Sequence, residues 1–154
     1  MIYIRPMTEG EFRAFREVQK RDYAESIAKV LRLPIVEAQA IANEAMAIML
    51  KGGIETSNNY FYSIVNSDVD QCLGSLWFSI QEDKRRAQLC WIGLEEHYRG
   101  KGIGRTALEQ VESLLQDKGI DSIDVHAFIN NGMAIGFYQT LGFWTTGILM
   151  HKDI

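Results

Sequence analysis

The residues best suited to chemistry are three alternating glycines behind an arginine, Arg99-Gly100-Lys101-Gly102-Ile103-Gly104. An apolar run, Leu89 to Leu94, precedes them and has the character of a buried strand. After them Ile103, Ala107, Leu108, Val111, Leu114 and Leu115 recur with the period of a helix face. The unit therefore reads as strand, glycine-dense turn, helix. A helix start presents unpaired N–H groups and the positive end of the helix dipole, which together favour an anion. Glycines let the backbone approach a bulky polyanion such as a diphosphate closely. The plainer alternative is a strand-to-helix turn whose glycines only satisfy local geometry. Spacing narrows the choice of phosphate ligand. G-x-G-x-G is not the dinucleotide pattern G-x-G-x-x-G, and no G-x-x-x-x-G-K-[ST] of a P-loop occurs.

Other chemistries find less support. The two cysteines, Cys72 and Cys90, lie in apolar strand-like runs and read as buried free thiols, with no disulfide framework and no metal site. A formal net charge of -4 argues against a general nucleic-acid binder, which would usually be basic. Met1 to Gly10 has no apolar leader core, and no apolar stretch reaches membrane-spanning length, so a cytoplasmic protein is expected. With 154 residues, 47% hydrophobic and 23% charged, one folded domain with a sizeable core is expected.

Several elements must position the glycine turn. Ile2-Tyr3-Ile4 reads as a first strand, stopped by Pro6. Thr8 and Glu11 have capping-box spacing, which starts a helix at Glu9 with Phe12 and Phe15 inward. A second helical piece is expected over Tyr23–Arg32, and a third over Ile35–Lys51, ended by Gly52-Gly53. Strands are expected over Tyr60–Val65, Cys72–Ile80 and Arg86–Leu94, linked by the turns around Asn66-Ser67-Asp68 and Glu82–Arg85. After the helix of the opening unit, Gly119 is the cap, Ser122–Ile129 a strand, Ala134–Leu141 a short helix and Phe143–His151 a last strand. A helix joins Arg86–Leu94 to Ser122–Ile129, so those strands should be parallel neighbours with a right-handed crossover. The order describes a single-domain α/β protein spanning residues 1–154, with one mixed sheet.

Two segments now amount to a resemblance. Arg99 to Gly104, after a strand and opening a helix, matches the Arg/Gln-x-x-Gly-x-Gly/Ala signature of the GNAT superfamily of acetyl-CoA-dependent N-acetyltransferases. Asn131-Gly132-Met133-Ala134-Ile135-Gly136-Phe137-Tyr138-Gln139-Thr140-Leu141-Gly142-Phe143 is similar to that superfamily's Asn-x-x-Ala-x-x-Phe/Leu-Tyr-x-x-x-Gly-Phe segment. The chain resembles a GNAT protein over nearly its full length. The resemblance implies a mostly antiparallel twisted sheet with helices on both faces and one parallel strand pair splayed around the CoA site. It implies acetyl-CoA as co-substrate, no metal, and a small-molecule or peptide amine as acceptor. A homodimer through the last strand or an exposed edge is compatible with it.

The resemblance also implies roles. Backbone groups of Ile92, Gly93 and Leu94 would pair with the pantetheine amides, the Leu94 N–H polarising the thioester carbonyl. The segment Arg99, Gly100, Lys101, Gly102, Ile103, Gly104 and Arg105 would hold the diphosphate; Arg99 and Lys101 could equally be solvated charges. Asn131 would contact the cofactor, or cap a helix, or do both. Tyr138 would protonate the departing thiolate; its alternative is packing between Phe137 and Phe143. Proton donation from a tyrosine of pKa about 10 to a thiolate of about 8.5 runs uphill by about 2 kcal/mol, small beside a catalytic barrier.

No general base stands out. Many relatives carry a glutamate on the strand before the phosphate turn, where this chain has Gln88, Cys90 and Trp91. Glu55, Glu82, Glu95, Glu96 and His97 are candidate relays, each equally a solvated side chain. A lysine-like amine is neutral about once in 2,500 at pH 7, equivalent to about 4.6 kcal/mol, against about 1.4 kcal/mol for an α-amine near pKa 8. The missing base therefore leans toward weakly basic amines or a water chain. The competing reading from another class is a non-catalytic CoA or acyl-CoA sensor.

Overall fold

A computed structural model describes residues 1–154. One five-stranded sheet runs in the order β1 (Ile2–Pro6), β2 (Asn59–Asn66), β3 (Gln71–Gln81), β4 (Arg86–Leu94) and β5 (Ser122–Val125). The first four are successively antiparallel, and β4 and β5 are parallel, as the helical crossover requires. The mixed sheet is the one expected.

Helices cover both faces. α1 (Glu9–Leu31) and α2 (Ile35–Met49) form a hairpin on one side. There Phe12, Phe15 and Met46 meet Phe61 and Trp77 from the sheet, with Phe12 edge-on to Phe61 at 4.7 Å between centroids. On the other side α3 (Ile103–Asp117) buries Ala107, Leu108, Val111 and Leu115 against Ile64, Leu76, Phe78 and Leu89. α4 (Gly132–Thr140) follows β5, with Tyr138 packed against the same cluster.

The Thr8–Glu11 capping box is present: the Glu11 N–H donates to Thr8 Oγ1, and the Thr8 N–H donates to the Glu11 carboxylate. The two helical pieces expected over Glu9–Arg32 are instead one helix of 23 residues. Nothing between Gln19 and Tyr23 breaks it, since Lys20-Arg21-Asp22 holds neither glycine nor proline and Lys20 pairs with Glu17 at 3.0 Å.

Two expected strands need correction. The strand expected over Ser122–Ile129 ends at Val125, because its partner diverges there. Trp77 faces Trp91 and Phe78 faces Leu89, leaving Cys90 unpaired as a β-bulge. The last β4–β5 pair is Leu89 with Val125, directly before that bulge. Phe143–His151 forms no strand, since this stretch has no main-chain hydrogen bond to the body beyond Phe143. Cys72 is also exposed rather than buried; only Cys90 is largely enclosed.

Candidate functional site

The bulge at Cys90 organises the site. A bulge adds local twist and bends the strand that carries it. Cys90 and Trp91, consecutive in sequence, both pack toward the α1–α2 side, while Leu89 and Ile92 lie on the α3 side. Beyond it Cys90 to Leu94 continue along β3 with no β5 partner, so the parallel pair separates.

Hydrogen bonding decides what faces that gap. The Glu95 N–H donates to the Leu73 carbonyl of the β3 side at 3.1 Å. Successive residues of a strand point their polar groups to opposite edges, so Leu94 and Ile92 direct N–H and C=O groups into the gap. Gly93 does not. Its carbonyl lies so close to Gly74 that a Cβ on Gly74 would collide with it, which turns the Gly93 backbone toward β3. Of the three residues expected to meet a ligand, Ile92 and Leu94 turn to the gap by this alternation and Gly93 to β3. A glycine is needed there for another reason: a Cβ on Gly93 would stand 2.7 Å from the Trp91 indole, which folds over it and donates from Nε1 to Ser75 Oγ at 2.9 Å.

The three turn glycines divide their work. Gly100 and Gly102 adopt φ of 71° and 79°, the left-handed region that glycine enters without strain, and a Cβ on either would meet open space. Gly104 is buried, and a Cβ there would lie 3.2 Å from Phe137 Cζ and 3.8 Å from Leu94 Cδ1. It lets α3 close onto α4 and the end of β4. Gly102, the N-cap residue of α3, has no side chain to cap the helix, and no acidic residue sits in its first turn. The Ile103, Gly104 and Arg105 amides precede the first helical bond, Thr106 N–H to the Gly102 carbonyl. The first turn of α3 is thus open, with no side-chain cap and no acidic neighbour in it.

The flanking cations are partly committed. Arg99 Nε donates to the Leu94 carbonyl at 2.9 Å, tying the loop to the strand end, and Arg105 donates to the Thr140 carbonyl at 3.3 Å, tying α3 to α4. Lys101 is exposed. Asn131 is a helix cap: its Oδ1 accepts from the Ala134 N–H at 3.2 Å, leaving its amide nitrogen to donate elsewhere.

Tyr138 is locked by the end of its helix. The Gly142 N–H donates to the Gln139 carbonyl and the Phe143 N–H to the Tyr138 carbonyl, with Gly142 at φ 93°. This Schellman ending sets Phe143 against the Tyr138 ring, edge-on at 5.6 Å. Tyr138 packs, its half-buried ring sharing one cluster with Ile92, Leu94 and Ile103. Burial raises its hydroxyl pKa above the ordinary 10.

The candidate relays scatter. Glu82 lies in the β3–β4 connection, at the opposite end of β4 from the gap. Glu55 lies beside the start of β2. Glu95, Glu96 and His97 are exposed in the loop after β4. A residue that motif reading missed is Asp22 of α1. Burial raises its carboxyl, and the positive charges of Arg21, its ion-pair partner at 3.9 Å, and more weakly Arg99 oppose that shift. Only the packing of α1 across the sheet reveals this. Burial likewise raises the Cys90 thiol, which keeps it protonated and a poor nucleophile. No group of three or more His, Cys, Asp or Glu side chains converges as a metal site.

With this geometry in place, comparison with known proteins is informative. The model of the acetyltransferase (GNAT) family matches residues 24–143. An uncharacterized N-acetyltransferase of Bacillus subtilis, YdgE, is 31% identical over 150 residues, covering 96% of this chain and 95% of the relative. Another from the same organism, YycN, is 28% identical over 155 residues, covering 99% of each. The crystal structure of YycN superposes with a TM-score of 0.91 over 100% of this chain and 99% of the other. The PaiA N-acetyltransferase of Thermoplasma acidophilum, solved in complex with coenzyme A, shares the fold with a TM-score of 0.72 at 19% identity, over 95% and 91% of the two chains. The separated strand pair and uncapped glycine turn are thus seen within a match spanning most of the sequence: the chain belongs to the GNAT family of acetyltransferases.

Proposed function

We propose that the protein transfers an acetyl group from acetyl-CoA to a primary amine of a small molecule or peptide, directly, within a ternary complex. The observation that carries this reading is the free edge of β4 leading straight into the uncapped N-terminus of α3. An extended arm with amide groups and a diphosphate at its end would match both in order. The fit is supported by the open space around Gly100 and Gly102, and by the Ile92 and Leu94 groups that face the gap.

When bound, acetyl-CoA supplies an acyl thioester. The Ile103, Gly104 and Arg105 amides hold the diphosphate, with Arg99 and Lys101 adding positive charge. Ile92 and Leu94 hold the pantetheine amides through their free polar groups, the Leu94 N–H serving the acyl carbonyl oxygen. The Asn131 amide nitrogen is a further donor beside the cofactor. Tyr138 keeps its proton at neutral pH and gives it to the leaving sulfur. Its raised pKa makes that transfer steeper, and the same low polarity also raises a thiol, as burial does at Cys90. The protonated Cys90 supports direct transfer over an acetyl-cysteine carrier.

For the acceptor, the α1–α2 side of the gap offers aromatic walls from Trp91 and Phe15, whose rings meet edge-on at 6.2 Å. The test is a broad amine and peptide panel with acetyl-CoA, following thiol release. Turnover of one acceptor class, lost in Tyr138→Phe while acetyl-CoA still binds, supports the proposal. Tight acetyl-CoA binding with no acceptor turned over would favour the sensor.

A further inference from the structure

Only two polar side chains are buried in this protein, Ser63 and Gln19. Ser63 has its partner, donating from Oγ to the Glu11 carboxylate at 3.0 Å. Gln19 has none. It is 5% exposed, and its Oε1 is closed off from solvent with no hydrogen-bond donor in reach. The other buried residues of α1, Phe12, Phe15, Ala24 and Ile27, are all apolar. A buried amide oxygen without a donor destabilises a fold, and a methionine would fill the same space without that loss. Such a group calls for a partner from outside the chain.

Its place in the fold says what that partner is. α1 runs unbroken across the sheet, and Phe15, Gln19 and Tyr23 follow one another on one side of it at one-turn spacing. Phe15 meets Trp91 of β4 at 6.2 Å between ring centroids. Tyr23, about 12 Å further along the helix axis, meets Phe128 beyond the end of β5 at 5.9 Å. Gln19 therefore stands between the two ring pairs, over the gap between β4 and β5, on the face where Cys90 and Trp91 pack. In the reaction proposed above the acyl thioester lies in that gap, so the group that comes to Gln19 is the attacking amine. An amine carries the N–H that Oε1 lacks. Tyr23 and Phe128 are half-buried and held to each other by ring packing, so theirs is the side that parts to admit it.

We infer that Gln19 binds the acceptor: its Oε1 takes a hydrogen bond from the amine N–H and holds the nitrogen over the thioester, while the ring pairs on either side select an amine carried on an aromatic body. This rests on the transferase reading. An amide oxygen accepts a hydrogen bond but removes no proton, so Gln19 orients the nucleophile and leaves its deprotonation to solvent.

Gln19→Met separates this from a structural role, because the two roles move stability in opposite directions. An amide kept for the acceptor weakens the free protein, so Gln19→Met should melt a few degrees above the parent and bind acetyl-CoA as the parent does. Binding of phenethylamine to the CoA-loaded protein, followed by tryptophan fluorescence, should weaken about tenfold in the variant. Ethylbenzene, which has no N–H, should bind parent and variant alike. Gln19→Glu returns an oxygen to the same place and should recover most of the lost phenethylamine affinity. A lower melting temperature in Gln19→Met, equal phenethylamine affinity in parent and variant, or no phenethylamine binding by the parent overturns the inference. None of these measurements needs turnover. If no amine is acetylated while the Gln19 difference in phenethylamine binding stands, the transferase reading fails and Gln19 remains an amine-binding residue.

Discussion

At Tyr138 the packing sets where the hydroxyl sits. The Gly142 turn fixes Phe143 against the ring, so the hydroxyl is aimed by backbone rather than by a hydrogen bond from a neighbour. Tyr138→Phe keeps that packing and removes only the proton. Its kcat is expected to fall about 10²- to 10⁴-fold while acetyl-CoA affinity changes little, measured by thiol release and by calorimetric titration. Because burial holds the Tyr138 hydroxyl above 10, the pH–rate profile should rise as the acceptor amine deprotonates and show no descending limb from Tyr138 below pH 10. The turn glycines separate by the same reasoning. Gly102→Val forces a branched side chain into positive φ, at a cost of about 1–2 kcal/mol, or about tenfold in acetyl-CoA affinity, with no clash. Gly104→Val meets Phe137 and Leu94 instead, so its loss should appear first in thermal stability, as a fall of several degrees in melting temperature.

Among the elements, those with strong local signals are legible in the sequence itself. The Thr8–Glu11 box, the Gly119 cap and the amphipathic period of α3 each appear in place, because a cap or an apolar face is written in neighbouring residues. What depends on distant partners is not legible there. The continuity of α1 through Lys20–Asp22 and the early end of β5 both follow from how elements pack. Phe143–His151 has the residues of a strand, but beyond Phe143 it makes no main-chain hydrogen bond to the body. In the site, the glycine turn and Tyr138 stand out from spacing and family resemblance. That Gly93 turns its backbone toward β3 does not, since alternation along β4 depends on the bulge and on which residue of β3 it meets.

Across the whole molecule, the first strand and first helix are joined by an ion pair that sets acid stability. Arg5 grips Glu11 with two hydrogen bonds, at 2.8 and 2.9 Å, and Ser63 of β2 adds a third at 3.0 Å. The Arg5 contact, chiefly, holds the Glu11 carboxyl down at about 2, against an ordinary 4.5. A lowered native pKa means that this contribution is complete above the unfolded value and drains away as pH falls from about 4.5 toward 2. Glu11→Gln should therefore be less stable than the parent at pH 7, and the difference should shrink steadily in denaturant melts run down through that window. The same contact anchors α1 to β1, and with the acceptor on the proposed α1–α2 side its loss is also expected to raise the acceptor KM.

Cys90 is the one residue of β4 that the sheet has no need to pair, since Leu89 and Trp91 already face adjacent residues of β3, Phe78 and Trp77. A chain with that codon deleted would keep every cross-strand partner, and each remaining side chain would stay on its present face. It would lose only the bend that parts β4 from β5. Folding and catalysis are thus encoded in separable letters here. The deletion is expected to melt within a few degrees of the parent and to bind acetyl-CoA at least tenfold more weakly, a separation-of-function allele that no substitution at the same position would reproduce.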